Sequence, residues 1–158
     1  MKLFWLKTRF SWIASISKFD DNRGGKVIKR VKPEVRKLCS HLLGIGGEKV
    51  AVLINEDLGF YKALVDIGKI IPFKRLRIQG GEERECHSNS ASLWLRNQKK
   101  YKLVTGFGMS DDNIWRRHSW IITTDGNLIE TTIAREIYFG IILNNRIAKK
   151  FAEIYVEP

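Results

Sequence analysis

The stretch Arg116–Thr132, RRHSWIITTDGNLIETT, decides how this chain is read. Its β-branched and aromatic residues flank Asp125-Gly126, a pattern that predicts two strands joined by a hairpin. Register then settles whether His118 and Glu130 meet. With the two-residue loop Asp125-Gly126, Ile121 pairs with Glu130, and Glu130 falls on the face opposite His118. With the three-residue loop Thr124-Asp125-Gly126, Thr123 pairs with Asn127 and Trp120 with Glu130. Glu130 then lies diagonally beside His118 on one face, within reach of a long side chain. That loop wants a left-handed glycine at its third position, which Gly126 supplies. The sequence therefore favours the pairing, with His118 near the start of its strand.

Upstream, Gly80-Gly81 breaks the chain before ECHSNSASLW (residues 85–94). Cys86 to Leu95 has helical spacing, with Ala91, Trp94 and Leu95 available to a core, and a strand follows over Tyr101 to Phe107. A helix followed by an antiparallel meander is an α+β arrangement. Towards the amino terminus the pattern gives an amphipathic stretch at 3–18 and a turn at 21–25. A helix follows at 33–43, with Pro33 in its first turn and Gly44 at its end. Next come a strand at 50–54, a helix at 58–67 and a half-exposed strand at 73–78. Core-forming segments at 135–143 and a closing helix at 146–154 complete one domain spanning 1–158.

A cysteine at a helix amino terminus lies near free N–H groups and the positive end of the macrodipole, both of which favour a thiolate. A nucleophile also needs a base within reach and a group that orients the base. His118 is the candidate base. Glu130 is the candidate orienting group, with Asp125 as a weaker alternative because a turn explains it. His87 and Asn89 are further residues that a cleft at Cys86 could include, and Cys39 reads as core.

The charge is uneven. Of the net +11, residues 1–38 hold +8, with eleven Lys/Arg against three acids, so a basic and mainly helical amino-terminal part (1–45) precedes a nearly balanced remainder. Such a surface suits an acidic partner or a nucleic acid. Trp115-Arg-Arg-His-Ser-Trp120, with cations between aromatics, suits phosphates and bases in the same way, although a strand with Trp115 packing at its edge explains the segment better. Two cysteines without export signals fit free thiols in a reducing, cytoplasmic setting. The His and Cys spacings define no metal site, and no cofactor is expected. No apolar run reaches the roughly 18 residues of a membrane span.

The order ECHSNSASLW, KLVTGFGM (102–109) and RRHSWIITTDGNLIETT resembles the core of the papain-like and transglutaminase-like cysteine superfamily, over about residues 79–143. In that superfamily a helix-opening Cys is followed by a strand carrying His and a strand carrying an acid or Asn. The resemblance implies Cys86 as nucleophile, His118 as general base and Glu130 as orienting carboxylate. It also implies Gln79 as oxyanion donor and a Cys-bearing helix packed on an antiparallel sheet. The implied function is thiol-dependent amide chemistry on a protein or peptide, as a peptidase, deamidase or transglutaminase. The alternatives are a basic nucleic-acid-binding protein and a catalytically inactive interaction module on the same scaffold.

Overall fold

The first and last helices open where local chemistry permits. Asn144 caps the last helix by accepting the Ile147 N–H at 3.0 Å, and Pro33, with no N–H to leave unpaired, opens the first. The computed structural model describes residues 13–17, 31–53 and 58–156. In chain order the elements are β1 (Ile13–Ser17), α1 (Pro33–Ile45), β2 (Lys49–Leu53), α2 (Leu58–Ile67), β3 (Lys69–Ile70), β4 (Leu76–Ile78) and α3 (Cys86–Arg96). Then follow β5 (Tyr101–Met109), β6 (Ile114–Thr123), β7 (Leu128–Glu130), β8 (Ile137–Ile142) and α4 (Asn145–Tyr155). The chain is thus α+β, as expected, with a mixed and mostly antiparallel sheet.

The sheet runs β1-β2-β6-β5-β8-β3, with β7 joined to β6 and β4 to β7. The β2–β6 and β4–β7 pairs are parallel and the others antiparallel. On the same edge of β6, β2 pairs at Ile114–Trp115 and β7 at Ile121–Ile122. Between them, no strand among the described residues pairs with Arg116–Trp120 on that edge.

Alternation along the strands divides the interior in two. Trp115, Ile121, Leu103, Phe107 and Phe139 join the buried faces of the helices in the larger core. On the other face Trp120, Ile122, Val104, Leu128 and Tyr138 pack with Ile71. Close approach there depends on Gly140, where a Cβ would lie 2.6 Å from the Thr105 carbonyl oxygen and 2.8 Å from the Trp120 ring. Any side chain at 140 would displace the indole.

Two expectations need correction. Ile13–Ser17, within the amino-terminal part expected to be mainly helical, is a strand paired along its length with β2. A ladder partner outweighs local amphipathic periodicity. The rest of the amphipathic stretch (3–12 and 18) and the turn at 21–25 lie outside the described residues. His118 is not near the start of its strand but is the fifth residue of β6, because the strand extends back to Ile114. In Trp115-Arg-Arg-His-Ser-Trp120 the favoured strand reading holds: the segment lies in β6 and both indoles are fully buried. Arg117 lays its guanidinium 4.1 Å from the centre of the Phe60 ring, and Arg116 is clamped by Asp112 at 2.6 Å.

Candidate functional site

The hairpin between β6 and β7 has the three-residue loop. Thr123 N–H donates to the Asn127 carbonyl at 2.8 Å, and Gly126 N–H to the Thr123 carbonyl at 2.9 Å. Gly126 has φ of 88°, the left-handed backbone the loop requires. With Ile121 opposite Ile129 and Ile122 opposite Leu128, the register places Glu130 across from Trp120 and diagonal to His118. Glu130 Oε2 and His118 Nε2 lie 2.7 Å apart, both side chains fully buried.

Glu130 accepts at every side. Oε2 also takes the Tyr138 hydroxyl at 2.9 Å. Oε1 takes the N–H of Thr131 at 2.9 Å, the N–H of Thr132 at 3.0 Å and the Thr132 hydroxyl at 3.1 Å. Burial pushes the Glu130 carboxyl up, but the His118 hydrogen bond and charge, the Thr132 N–H and the Tyr138 hydroxyl outweigh it, and the net shift is down. The carboxylate is therefore ionised and only accepts. Nε2 must carry a proton, and in the neutral ring Nδ1 is left as a lone-pair base.

Cys86 is near enough to His118 to act on its titration. Burial lowers the pKa of His118, but neighbouring Cys86 and the hydrogen-bonded Glu130 raise it above the ordinary value overall. Because Nε2 is taken by Glu130, Nδ1 is the atom left for the thiol. Nδ1 has no hydrogen-bond partner.

Cys86 opens α3, and Glu85 before it supplies no side-chain cap. The N–H groups of the first turn, including that of Cys86, have no acceptor within the helix. Of the three residues Cys86 alone keeps some exposure, 9%, against none for His118 and Glu130. The loop before it is held by Asn89, whose side-chain NH₂ donates to the Glu82 carbonyl at 2.8 Å while its oxygen accepts the Glu82 N–H at 3.2 Å. Asn89 thus fixes the approach to the helix.

The structure brings His118 and Glu130 into contact, with Cys86 near enough to raise the pKa of His118. Gln79 stands apart from them: its N–H donates to the Glu130 carbonyl at 2.8 Å, and its exposed side chain lines a cavity of about 250 Å³ with Gly81, Glu82, Asn89 and Arg96. Neither Cys86 nor His118 lines that cavity. Asp125 stays in the turn, bonded to Thr123 and Asn127. His87 contacts Ser119 on the other face of β6. Cys39 is buried in α1, its thiol pushed up to about 12 by burial.

Tyr138, Thr131 and Thr132 are site residues that the sequence reading passed over. The Thr pair had a local signal, since two hydroxyl residues directly after an acid can return their N–H and O–H groups to it. Tyr138 had none; its hydroxyl reaches Glu130 only through the pairing of β8 with β5, which sets it opposite Gly108. Tyr155 belongs to the surroundings as well. Burial raises its pKa, the bonded Arg117 opposes this, and the nearby Cys86 adds to it. Among the described residues no group of His, Cys, Asp and Glu is arranged to hold a metal ion, and no helix is long and apolar enough to cross a membrane.

Compared with known proteins, the chain matches no family model, no curated protein and no solved structure.

Proposed function

We propose that the chain performs thiol-dependent acyl chemistry on amides, with Cys86 as nucleophile, His118 as general base and Glu130 as the carboxylate that orients it. The observation that carries this reading is the Glu130 carboxylate. Five hydrogen-bond donors converge on it, and one of them is the ring nitrogen of a histidine whose other nitrogen is left for a helix-opening cysteine. A packing histidine needs no such arrangement. The likeness of the Cys-His-acid order to the papain-like and transglutaminase-like superfamily supports the same assignment and extends it to the core architecture.

In this mechanism Nδ1 of His118 takes the proton of the Cys86 thiol, and the sulfur forms a bond to the amide carbon. The resulting oxyanion meets the N–H of Cys86 in the first turn of α3. The carbon–nitrogen bond then breaks as His118 returns the proton to the departing nitrogen, leaving a thioester on Cys86. Attack by water, with His118 again as base, releases an acid and restores the thiol. Attack by an amine instead gives a new amide. Peptidase, deamidase and transglutaminase share every step up to the thioester and differ in the acceptor admitted.

Casein incubated with the protein tests this directly, with ammonia release, peptide cleavage and incorporation of a fluorescent primary amine followed in parallel. At least one signal is expected, lost in Cys86→Ala and reduced by about a hundred-fold or more in His118→Ala. Three silent assays, or a signal that survives Cys86→Ala, would remove the assignment.

A further inference from the structure

The segment from Lys69 to Gly81, KIIPFKRLRIQGG, holds four cations and no acid, and its strand β4 is the outermost on its side of the sheet. Its pairing with β7 shows which way its backbone points. Leu128 N–H donates to the Arg75 carbonyl at 2.9 Å and Gln79 N–H to the Glu130 carbonyl at 2.8 Å, with Leu76 opposite Leu128 and Ile78 opposite Glu130. A parallel ladder of this register turns the backbone groups of Arg75, Arg77 and Gln79 towards β7. It turns the N–H and C=O of Leu76 and Ile78 outwards, where no further strand pairs among the described residues.

Such an edge is a template for another extended chain. Lys74, Arg75 and Arg77 are exposed along it, and Ile78 is 63% exposed beside them. None of the three cations has an ion pair among the described residues. Asp125 feels the charges of Arg77 and Lys74 but is already bonded to Thr123 and Asn127. Just past its far end lies the cavity lined by Gln79, where Arg96 and Glu82 carry opposite charges.

We propose that the outer edge of β4 docks an extended acidic segment of a partner protein. The segment adds to the sheet as one more strand and sets its carboxylates against Lys74, Arg75 and Arg77. Charge complementarity selects an acidic occupant, and the outward N–H and C=O groups select a polypeptide. A nucleic acid or an anionic membrane meets the cations but has no peptide groups with which to complete the ladder. The inference stands independently of the chemistry assigned to Cys86.

Fluorescence anisotropy with the full chain and a labelled peptide of alternating valine and glutamate tests it, against a counterpart of alternating valine and lysine. Only the acidic peptide is expected to bind, with affinity falling about ten-fold or more between about 50 and about 300 mM salt. Arg75→Glu with Arg77→Glu should weaken it by a similar factor. Ile78→Pro should do the same, because it deletes an outward N–H while leaving every bond to β7 in place. Circular dichroism checks that each variant is folded; should Ile78→Pro unfold, the charge reversal alone decides. Cys86→Ala should bind unchanged. No binding, equal binding of the two peptides, binding that survives the charge reversal, or tighter binding of a thymidine oligonucleotide or of phosphatidylserine vesicles would each overturn the proposal.

Discussion

Two histidines meet β6 from its opposite faces and are held in opposite ways. His118 gives Nε2 to an ionised carboxylate and keeps a lone pair on Nδ1, and its pKa is raised. His87, on α3, has its Nδ1 2.7 Å from the Ser119 hydroxyl, which in turn donates to the Thr105 hydroxyl at 3.0 Å. Because the Ser119 proton is spent on Thr105, His87 must donate through Nδ1. Its ring lies 5.0 Å from that of Tyr155 and 5.9 Å from that of Phe151, and burial pulls its pKa down to about 4, Glu85 only partly opposing. The difference lies in the partner: a carboxylate makes one ring a base that can accept a proton, while a hydroxyl and aromatic neighbours keep the other neutral.

The strongest challenge to this contrast is Glu130→Ala. It strips the acceptor from His118, Tyr138, Thr131 and Thr132 at once, and the loss expected in denaturant titration is about 3–5 kcal/mol. Glu130→Gln keeps the shape and should cost about 1–3 kcal/mol. Its amide can present a donor to Nε2 and so reverse the tautomer, leaving Cys86 without its base. If Glu130→Gln leaves Cys86 reactivity unchanged, the carboxylate has no orienting role.

The next test uses pH. His87 has a lower pKa folded than unfolded, so the unfolded chain takes up its proton first. Stability should fall as pH drops from about 6.5 towards about 4, by up to about 3 kcal/mol. The His118–Glu130 pair has the other sign on its histidine side. With its pKa raised, His118 contributes stability that is full below about pH 6.5 and lost as pH rises through its folded value. Glu130, with its pKa lowered, contributes above its ordinary range and loses that contribution only as pH falls through its depressed folded value. Melting curves of His87→Phe across this range should therefore lose the acid-side decline and retain the loss of stability above about pH 6.5. A decline that persists in His87→Phe would place the titrating group elsewhere.

Ser119→Ala is a smaller probe. It removes the acceptor from His87 and one link to Thr105, for an expected loss of about 1–2 kcal/mol in chemical denaturation. Cys86 reactivity should not change, because Ser119 faces away from His118. A matching fall in reactivity would show that the two faces of β6 are coupled.

The sequence carried the site further than it carried the fold. Loop length, the position of Gly126 and strand alternation were enough to place Glu130 beside His118, because each is a local property with its own geometric consequence. The helix opened by Cys86 was legible from Gly80-Gly81 and the spacing that follows. What stayed hidden depends on distant pairing. Nothing near Arg117 tells that its guanidinium is buried against Phe60 of α2 and bonded to Tyr155 of α4, with burial lowering its pKa to about 10. A strand with Trp115 packed at its edge was legible in Trp115–Trp120, but not the partners: one indole donates to the Gly46 carbonyl at 2.9 Å and the other stacks on His118. The strand at Ile13–Ser17 exists through its pairing with β2, a contact that helical periodicity does not encode.

The most direct test of the central claim is the rate of Cys86 alkylation by iodoacetamide near neutral pH, located by mass spectrometry, in the native protein and in His118→Ala. Cys39, buried with its thiol pushed up to about 12, serves as the internal control. Cys86 in the native protein should react about ten-fold or more faster than the same residue in the urea-unfolded chain, and His118→Ala should abolish the advantage while Cys39 stays unlabelled. A Cys86 that reacts only once the protein unfolds, or that reacts equally well without His118, would contradict the Cys-His pair on which the proposed chemistry rests.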